Sequence, residues 1–376
     1  MRILISGDFC PIGRTAQLLK DEHYSKLFNG FEKNTANVDY SIVNFECPIT
    51  QSNDKIDKTG PNIKTDDVNS LRALKYAGFN LLTLANNHIQ DYGGQGVLDT
   101  IKYAKQEGFD LVGAGENKNA AAIPFIKVIK GIRVGFINIA ENEFCAAENN
   151  HPGANTFDFI DNTYTIKKLK GEVDKIFLIY HGGREHYQLP TPEQRKRLRY
   201  LIDCGVDAIV AHHTHCFSGY EYYNNKPIVY SLGNFIFDYK SKYQKGLWTE
   251  GMSVILSLEA DNFKVELIPH LQGRKEDATL KILEGEEKQV FLERVDELTG
   301  IIKNDDLFYS CWENYIKNQE VNYLPNLYIK NIFLRALFLK GVLPVSFLRS
   351  KHNKLLLNLM RCESHHEISK SILEKK

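Results

Sequence analysis

The chain has 376 residues, of which 43% are hydrophobic and 25% are charged, as is ordinary for a globular protein in water. Its 47 basic and 47 acidic side chains balance, so overall charge does not favour nucleic acid as a partner. Seven scattered cysteines favour reduced thiols, and no apolar run approaches the roughly 18 residues that span a bilayer. The first predicted strand already starts at Arg2. Together these features predict a cytoplasmic protein without a signal peptide.

Predicted strands and helices alternate along most of the chain. Short apolar runs bounded by polar or turn residues predict strands, and longer amphipathic stretches closed by glycine predict helices. The predicted strands are 3–8, 40–45, 79–84, 110–112, 124–129, 132–139, 175–180, 208–211, 227–230, 252–258 and 263–269. The predicted helices are 15–28, 67–78, 96–108, 160–171 and 192–204. This order predicts an α/β fold in which two sheets are covered by helices.

Ligand-competent side chains follow several of these strands, where α/β folds bind their ligands. They are Asp8, Glu46, Asn87, His181, His213 and His215. Two carboxylates, one amide and three imidazoles would suit two borderline divalent ions with a bridging carboxylate. Residues two apart on an extended loop turn to the same side, so His213 and His215 could share a centre while His212 points away. The alternative is that the histidines cluster without metal and that single acids only cap turns.

Other polar residues stand beside this set. His88 could protonate a leaving group, with Asp91 three residues further along fixing its tautomer. The glycine pair 182–183 would let backbone approach a ligand, and Arg184 could then meet an anionic group or be an ordinary surface arginine. The sequence contains no Gly-x-Ser-x-Gly, Walker or dinucleotide-binding fingerprint that would favour other chemistry.

Six segments of the chain form recognisable motifs. They are Gly7-Asp8, Asn44-x-Glu46-x-Pro48, Asn86-Asn87-His88-x-x-Asp91-x-Gly93, His181-x-Gly183-x-Glu185, His212-His213-x-His215 and Tyr230-Ser231-Leu232-Gly233-Asn234-Phe235. Together they resemble the CapA family, the capsule-synthesis and poly-γ-glutamate-associated branch of the calcineurin-like metallophosphoesterases. The resemblance covers most of the chain up to Pro269 and implies a four-layer αββα metallophosphoesterase-like sandwich in residues 1–284. It also implies two divalent ions (Mn, Fe or Zn) on the six ligands named above, with His88 as the conventional acid or phosphate-contacting histidine. Substrate binding is assigned to Arg184, Glu185 and Asn234.

The sequence departs from the superfamily pattern at two positions. The superfamily usually begins with Asp-x-His, and Cys10 occupies the histidine position here. Its thiolate could bind zinc or iron, or one metal could be weakly held or absent. Glu46 stands where most phosphoesterases have Asp, and its longer side chain can shift the bridge between the two ions.

Two functions from different classes are consistent with these residues. The first is a metal-dependent hydrolase of capsule or exopolymer biosynthesis that acts on a phosphoester or an amide-type bond of a cell-envelope polymer or precursor. The second is a non-catalytic assembly or transport component of a poly-γ-glutamate or polysaccharide synthesis complex. A complete acid, amide and imidazole set favours the enzyme, and a structural metal site would more often be a closed arrangement of four ligands. The expected partner in either case is the capsule synthesis machinery.

Residues 285–376 differ in character and predict a helical, basic amphipathic extension. No acid occurs between Glu320 and Glu363, whereas the same stretch holds seven cations. They are Lys330, Arg335, Lys340, Arg349, Lys351, Lys354 and Arg361. With the apolar residues between them, they predict peripheral contact with the inner face of a membrane, or docking on a partner. The alternative is a helical appendage packed on the main domain with its cations in solvent.

Overall fold

The structure is a computed structural model that describes residues 1–348 and 352–373. Its contacts divide the chain into two compact units, Met1–Asp305 and Asp306–Lys376. The helix Gly285–Lys303 therefore lies in the first unit, whereas the sequence-based boundary was set at residue 284. Phe291 and Val295 of this helix belong to the core of that unit, which is why the helix groups with it.

The described residues form strands in three sheets, of which two are large. The strands are β1 (Arg2–Phe9), β2 (Tyr40–Phe45), β3 (Leu81–Thr83), β4 (Asp110–Val112), β5 (Ala114–Gly115), β6 (Phe125–Ile129), β7 (Ile132–Ala140), β8 (Gly153–Ala154), β9 (Lys175–His181), β10 (Ala208–His212), β11 (Tyr220–Tyr223), β12 (Lys226–Val229), β13 (Asn234–Ile236), β14 (Glu250–Glu259), β15 (Asn262–Leu271) and β16 (Lys281–Ile282).

Helices connect and cover the strands. They are α1 (Arg14–Lys20), α2 (Tyr24–Phe28), α3 (Glu32–Ala36), α4 (Asn69–Tyr76), α5 (Gly93–Gln106), α6 (Lys118–Ala121), α7 (Phe159–Lys170), α8 (Pro192–Asp203), α9 (Gly285–Lys303), α10 (Asp305–Tyr328), α11 (Ile332–Leu339), α12 (His352–Arg361) and α13 (Glu363–Leu373). Short 3₁₀ helices occupy Ser241–Tyr243, Gly246–Thr249 and Val345–Leu348. No helix of the described ranges combines the length and the apolar character needed to cross a bilayer.

The two large sheets bring several strand ends together. The eight-stranded sheet has the order β16-β15-β14-β1-β2-β3-β4, and β13 pairs with β1 beyond this path. The six-stranded sheet has the order β11-β12-β10-β9-β7-β6. Strands β1 to β4 are parallel to one another, as are β7, β9, β10 and β12. Because parallel strands end at the same edge, each sheet gathers its strand-end loops in one place.

Alternating side chains of β1 show how the layers are packed. Ile3 and Ile5 lie in a core shared with Phe136 and Phe177 of the other sheet, whereas Leu4 lies in a second core with residues of α1 and α4. Since successive side chains of a strand point to opposite faces, β1 is buried between the partner sheet on one side and helices on the other. With α7 against β9 and α8 against β10, the order of layers is helix, sheet, sheet, helix. The predicted αββα sandwich is confirmed.

The local predictions are confirmed for most elements of the first unit, including the hairpin of β6 and β7. The predicted helix 15–28 is wrong in one respect, because it is two helices, α1 and α2, separated at residues 21–23. Glu22 adopts a left-handed φ of 54° there, a conformation that a helix cannot contain. Strand β13 was not among the predicted strands either.

Candidate metal centre

Each large sheet contributes three of the six predicted ligands. Asp8 is on β1, Glu46 directly follows β2 and Asn87 lies in the loop after β3, all in the eight-stranded sheet. His181 ends β9, and His213 and His215 follow β10, both in the six-stranded sheet. The pairing of β9 with β10 places His181 opposite His212, so the histidine-rich loop begins beside His181. The six side chains are buried and meet where the two sheets end.

His181 lies at the middle of one ligand group. Its Nε2 is 2.9 Å from Asn87 Oδ1, 3.0 Å from His213 Nδ1 and 3.8 Å from Glu46 Oε1. Ligand atoms of Glu46, His181 and His213 all lie within 4.8 Å of one another. Two oxygens and two nitrogens that lie this close together form a donor set that suits a borderline divalent cation.

A second group shares Glu46 with the first. Ligand atoms of Asp8, Glu46 and His215 also lie within 4.8 Å of one another. Both carboxylate oxygens of Glu46 are buried, and neither has a hydrogen-bond partner in the described chain. A buried carboxylate that lacks partners is unfavourable by itself, but a bound cation would satisfy its oxygens. The residues present therefore fit metal binding at Glu46.

Burial shifts the pKa values of several residues in these ligand groups, and for two of the histidines it favours the neutral form that binds metals. Burial lowers the pKa of His181 well below its usual range, and it lowers the pKa of His215 to about 4. Both imidazoles are therefore neutral near pH 7, which is their metal-binding form. Burial, together with the nearby Asp8, raises the pKa of Glu46 well above its usual range. For Asp8 burial acts in the same direction, but His212 and His181 outweigh it and lower the pKa of this carboxyl.

His212 does not point away from the centre, so that prediction is wrong. Its Nδ1 is 2.9 Å from Asp8 Oδ1 and 2.9 Å from His181 Nδ1. The reason is the backbone of His213, whose φ of 106° is rarely adopted by a residue with a side chain. The amide of His213 donates to Asp8 Oδ2 at 3.1 Å, and this bond holds the turn. His212 thus forms a third group with Asp8 and His181.

Cys10 belongs to none of the three groups found among the described residues. Its side chain is buried and hydrogen-bonded to Cys47, and burial, with Cys47 and Glu46 nearby, raises the pKa of the thiol well above its usual range. A protonated thiol is a poor metal ligand, because the thiolate is the form that binds. This environment suits a residue that packs behind the centre.

Next to the ligands, His88 and Asp91 form a buried pair, as predicted from their spacing. His88 Nδ1 lies 2.7 Å from Asp91 Oδ2, which also accepts the amide of Ile63 at 2.7 Å. Sequence reasoning missed a third member, Lys58, whose Nζ forms an ion pair with Asp91 Oδ1 and lies 3.4 Å from His88 Nδ1. The Lys58 side chain is only 4% exposed. It comes from a polar loop without periodicity, where one lysine among several gives no signal.

A cavity of about 470 Å³ opens onto these residues. Lys58, His88, Arg184, Glu185 and His213 are among the residues that line it. The loop after β9 therefore presents both of its predicted substrate-binding residues to the same space as the ligands. The lining includes both positively and negatively charged side chains, which is expected of a site that binds a substrate with several polar groups.

Asn234, the third residue assigned to substrate binding, is fully buried and does not line this cavity. Its Oδ1 lies 2.8 Å from His215 Nδ1, and its Nδ2 donates to the carbonyl oxygen of Trp248 at 3.0 Å. Because Asn234 accepts from Nδ1, it fixes the tautomer of His215 and leaves Nε2 as the nitrogen for a metal. Its position is that of a residue that orients a ligand.

Known proteins similar to this chain bear on these observations. A family model described as "Bacterial capsule synthesis protein PGA_cap" matches residues 2–239. The "Capsule biosynthesis protein CapA" of Bacillus anthracis is 36% identical over 211 residues, which are 54% of this chain and 51% of the relative. The "PGA biosynthesis protein CapA" of Bacillus subtilis (strain 168) is 37% identical over 206 residues, 53% of each protein. The chain thus spans about half the length of the curated relatives it matches.

Solved structures with a partial likeness are more distant. A hypothetical protein from Thermus thermophilus has a TM-score of 0.47 and 15% identity, with coverage of 72% of this chain and 98% of its own. A putative 5'-nucleotidase from Staphylococcus aureus has a TM-score of 0.45 and 14% identity, with coverage of 79% and 58%.

Proposed function

Because this chain belongs to the PGA_cap family of bacterial capsule synthesis proteins, we propose that it is a metal-dependent hydrolase of capsule or exopolymer biosynthesis. The bond it acts on would be a phosphoester or an amide-type bond in a cell-envelope polymer or its precursor. One observation carries the proposal: two ligand groups converge on the buried, unpartnered carboxylate of Glu46. A protein that served only as a scaffold would have no physical need for this arrangement.

The ligand residues would hold the ions in two sets. His181, His213 and Asn87 stand on one side of Glu46, and Asp8 and His215 stand on the other. Two divalent ions such as Mn, Fe or Zn, if bound there, would lower the pKa of a water molecule and would stabilise negative charge in the transition state. The neutral imidazoles of His181 and His215 need not lose a proton before they bind.

His88 is placed to move a proton at the wall of the cavity. Its Nδ1 must carry hydrogen to bond with the Asp91 carboxylate, which leaves Nε2 for the substrate side. Protonated there, Nε2 would donate to a leaving group, and Asp91 would hold the ring in place while the charge changes. Lys58 fixes the other oxygen of Asp91, so that the carboxylate cannot rotate away from His88.

The cavity suits a substrate that carries negative charge close to the metal ligands. Arg184 supplies positive charge on its wall, and guanidinium groups are usual partners of phosphate and carboxylate groups. Both phosphoesters and glutamate-containing polymers carry such groups. Glu185 would contribute a hydrogen-bond acceptor on the same wall.

Metal analysis combined with an activity assay tests the proposal. Protein refolded with Mn, Fe or Zn is expected to hold up to about two equivalents and to hydrolyse an aryl phosphate or a γ-glutamyl anilide. His213→Ala and His215→Ala should lose metal and activity together. His151→Ala is the matched control, because that imidazole is 72% exposed and belongs to none of the three ligand groups found among the described residues. Wild-type protein that stays metal-free would exclude the enzyme and leave the assembly or transport component of the synthesis complex.

A further inference from the structure

The second compact unit carries a segment of unusual charge. Between residues 321 and 362 the chain has no acidic residue. Lys330, Lys340 and Lys354 are exposed cations of this segment, and Arg335 lies on helix α11. Arg349 and Lys351, two further cations of the predicted basic extension, lie outside the described residues. A surface with cations and no compensating acids has a net positive potential that attracts anionic partners.

The same segment exposes large apolar side chains to an unusual degree. Phe333 is 81% exposed, Phe347 73%, Ile332 65% and Val342 63%. Leu334, Leu337 and Leu339 of α11 are exposed as well, so that apolar side chains occupy most sides of this helix. Soluble surfaces bear scattered apolar residues, whereas so many large ones exposed within one short segment indicate a contact with another apolar phase.

The cations lie next to the apolar side chains along the chain. Lys330 directly precedes the Asn331 cap of α11, Arg335 is in the middle of the helix and Lys340 is its C-cap. Short helices with apolar side chains and flanking cations are typical of segments that lie in the plane of a membrane surface. The ammonium groups of such segments contact anionic headgroups while the apolar side chains enter the acyl boundary.

We propose that residues 327–348 bind the surface of a bilayer that contains anionic lipid. Charge complementarity favours this occupant over a second copy of the chain, because two copies would bring together two segments that carry cations and no acids of their own. The exposed aromatic rings of Phe333 and Phe347 suit the apolar boundary beneath the headgroups of such a surface. The inference does not depend on the metal centre.

Vesicle flotation of the full-length protein tests this inference. The protein should float with vesicles of phosphatidylcholine and phosphatidylserine and remain behind with phosphatidylcholine alone. Each neutralised cation is expected to weaken partitioning about fivefold, so Lys330→Gln with Lys340→Gln should weaken it about 30-fold. Phe333→Ser with Phe347→Ser, both at exposed positions where folding is insensitive, should abolish flotation.

The matched control is Lys20→Gln with Lys105→Gln, which removes two exposed cations from the first unit. It should float like the wild type, and an equal loss in this control would show unspecific attraction and overturn the proposal. So would a wild type that fails to float with anionic vesicles. A dimer in light scattering that the Phe333→Ser, Phe347→Ser variant dissociates, without any vesicle binding, would replace the lipid by a second copy.

Discussion

Replacing Lys58 with methionine would test the buried network behind His88. The Lys58 and Asp91 side chains are 4% and 0% exposed, so their ion pair is almost fully removed from water. Methionine fills a similar volume without charge or hydrogen-bond donors. The variant would leave Asp91 with a buried negative charge and one oxygen without its partner.

The size of the effect follows from the partners that remain. Removing one member of a buried ion pair costs about 3–5 kcal/mol. Asp91 keeps the Ile63 amide and His88, each at 2.7 Å, so we expect the lower end, about 3 kcal/mol. The first unit runs from Met1 to Asp305. At about 2.1 cal/mol/K per residue its unfolding entropy is roughly 0.6 kcal/mol/K, so Tm should fall by about 5 °C.

Differential scanning calorimetry of Lys58→Met, Asp91→Asn and the double variant measures this coupling. The double variant should recover about half or more of the summed losses, because it leaves no buried charge. Lys55→Met, at an exposed position of the same loop, is the control and should shift Tm by less than about 1 °C. An unchanged Tm in Lys58→Met, or strictly additive losses, would refute the idea that this ion pair holds Asp91.

Three further predictions concern the fold and the centre. Gly7→Ala should destabilise the protein by about 3 kcal/mol in urea unfolding, since a Cβ there would lie 2.0 Å from the carbonyl oxygen of Gly233. Gly300→Ala is the control and should not destabilise the protein, because the space around Gly300 is open. Burial lowers the pKa of His270 to about 4, so below pH 6.5 the unfolded chain binds the extra proton. The contribution of His270 to stability should therefore fall by about 2 kcal/mol from pH 7 to pH 5, and His270→Gln should lose that much less than the wild type over the same range. Chelation should lower the Tm of metal-loaded protein in calorimetry but not that of His213→Ala.

The candidate ligands at strand ends could be predicted from the sequence, because their positions relative to the strands follow a regular pattern. Asp8, Glu46 and His181 each stand at or just beyond the end of a short apolar run, and parallel strands carry such ends to one edge. His212 could not be placed in this way. Its direction depends on the left-handed backbone of His213, which a bond to Asp8 in the other sheet maintains.

Loop residues escaped prediction for a related reason. Lys58 and Ile63 reach Asp91 from a segment without helix or strand, where no periodicity relates sequence position to direction. Asn234 was recognised as part of a motif, but its hydrogen bond to His215 was not predicted. That contact depends on the pairing of β13 with β1, which turns Asn234 toward His215. In each case the decisive contact joins residues far apart in the chain.

The even division of the ligands between the two sheets has a kinetic consequence. Asp8, Glu46 and Asn87 come from one sheet and His181, His213 and His215 from the other, so a bound ion would cross-link the two layers. A bound ion would therefore oppose any local opening in which the sheets part at this edge and expose their shared apolar core. Amide hydrogen exchange in β1 and β10 should accordingly be slower in the metal-loaded protein than in the metal-free protein.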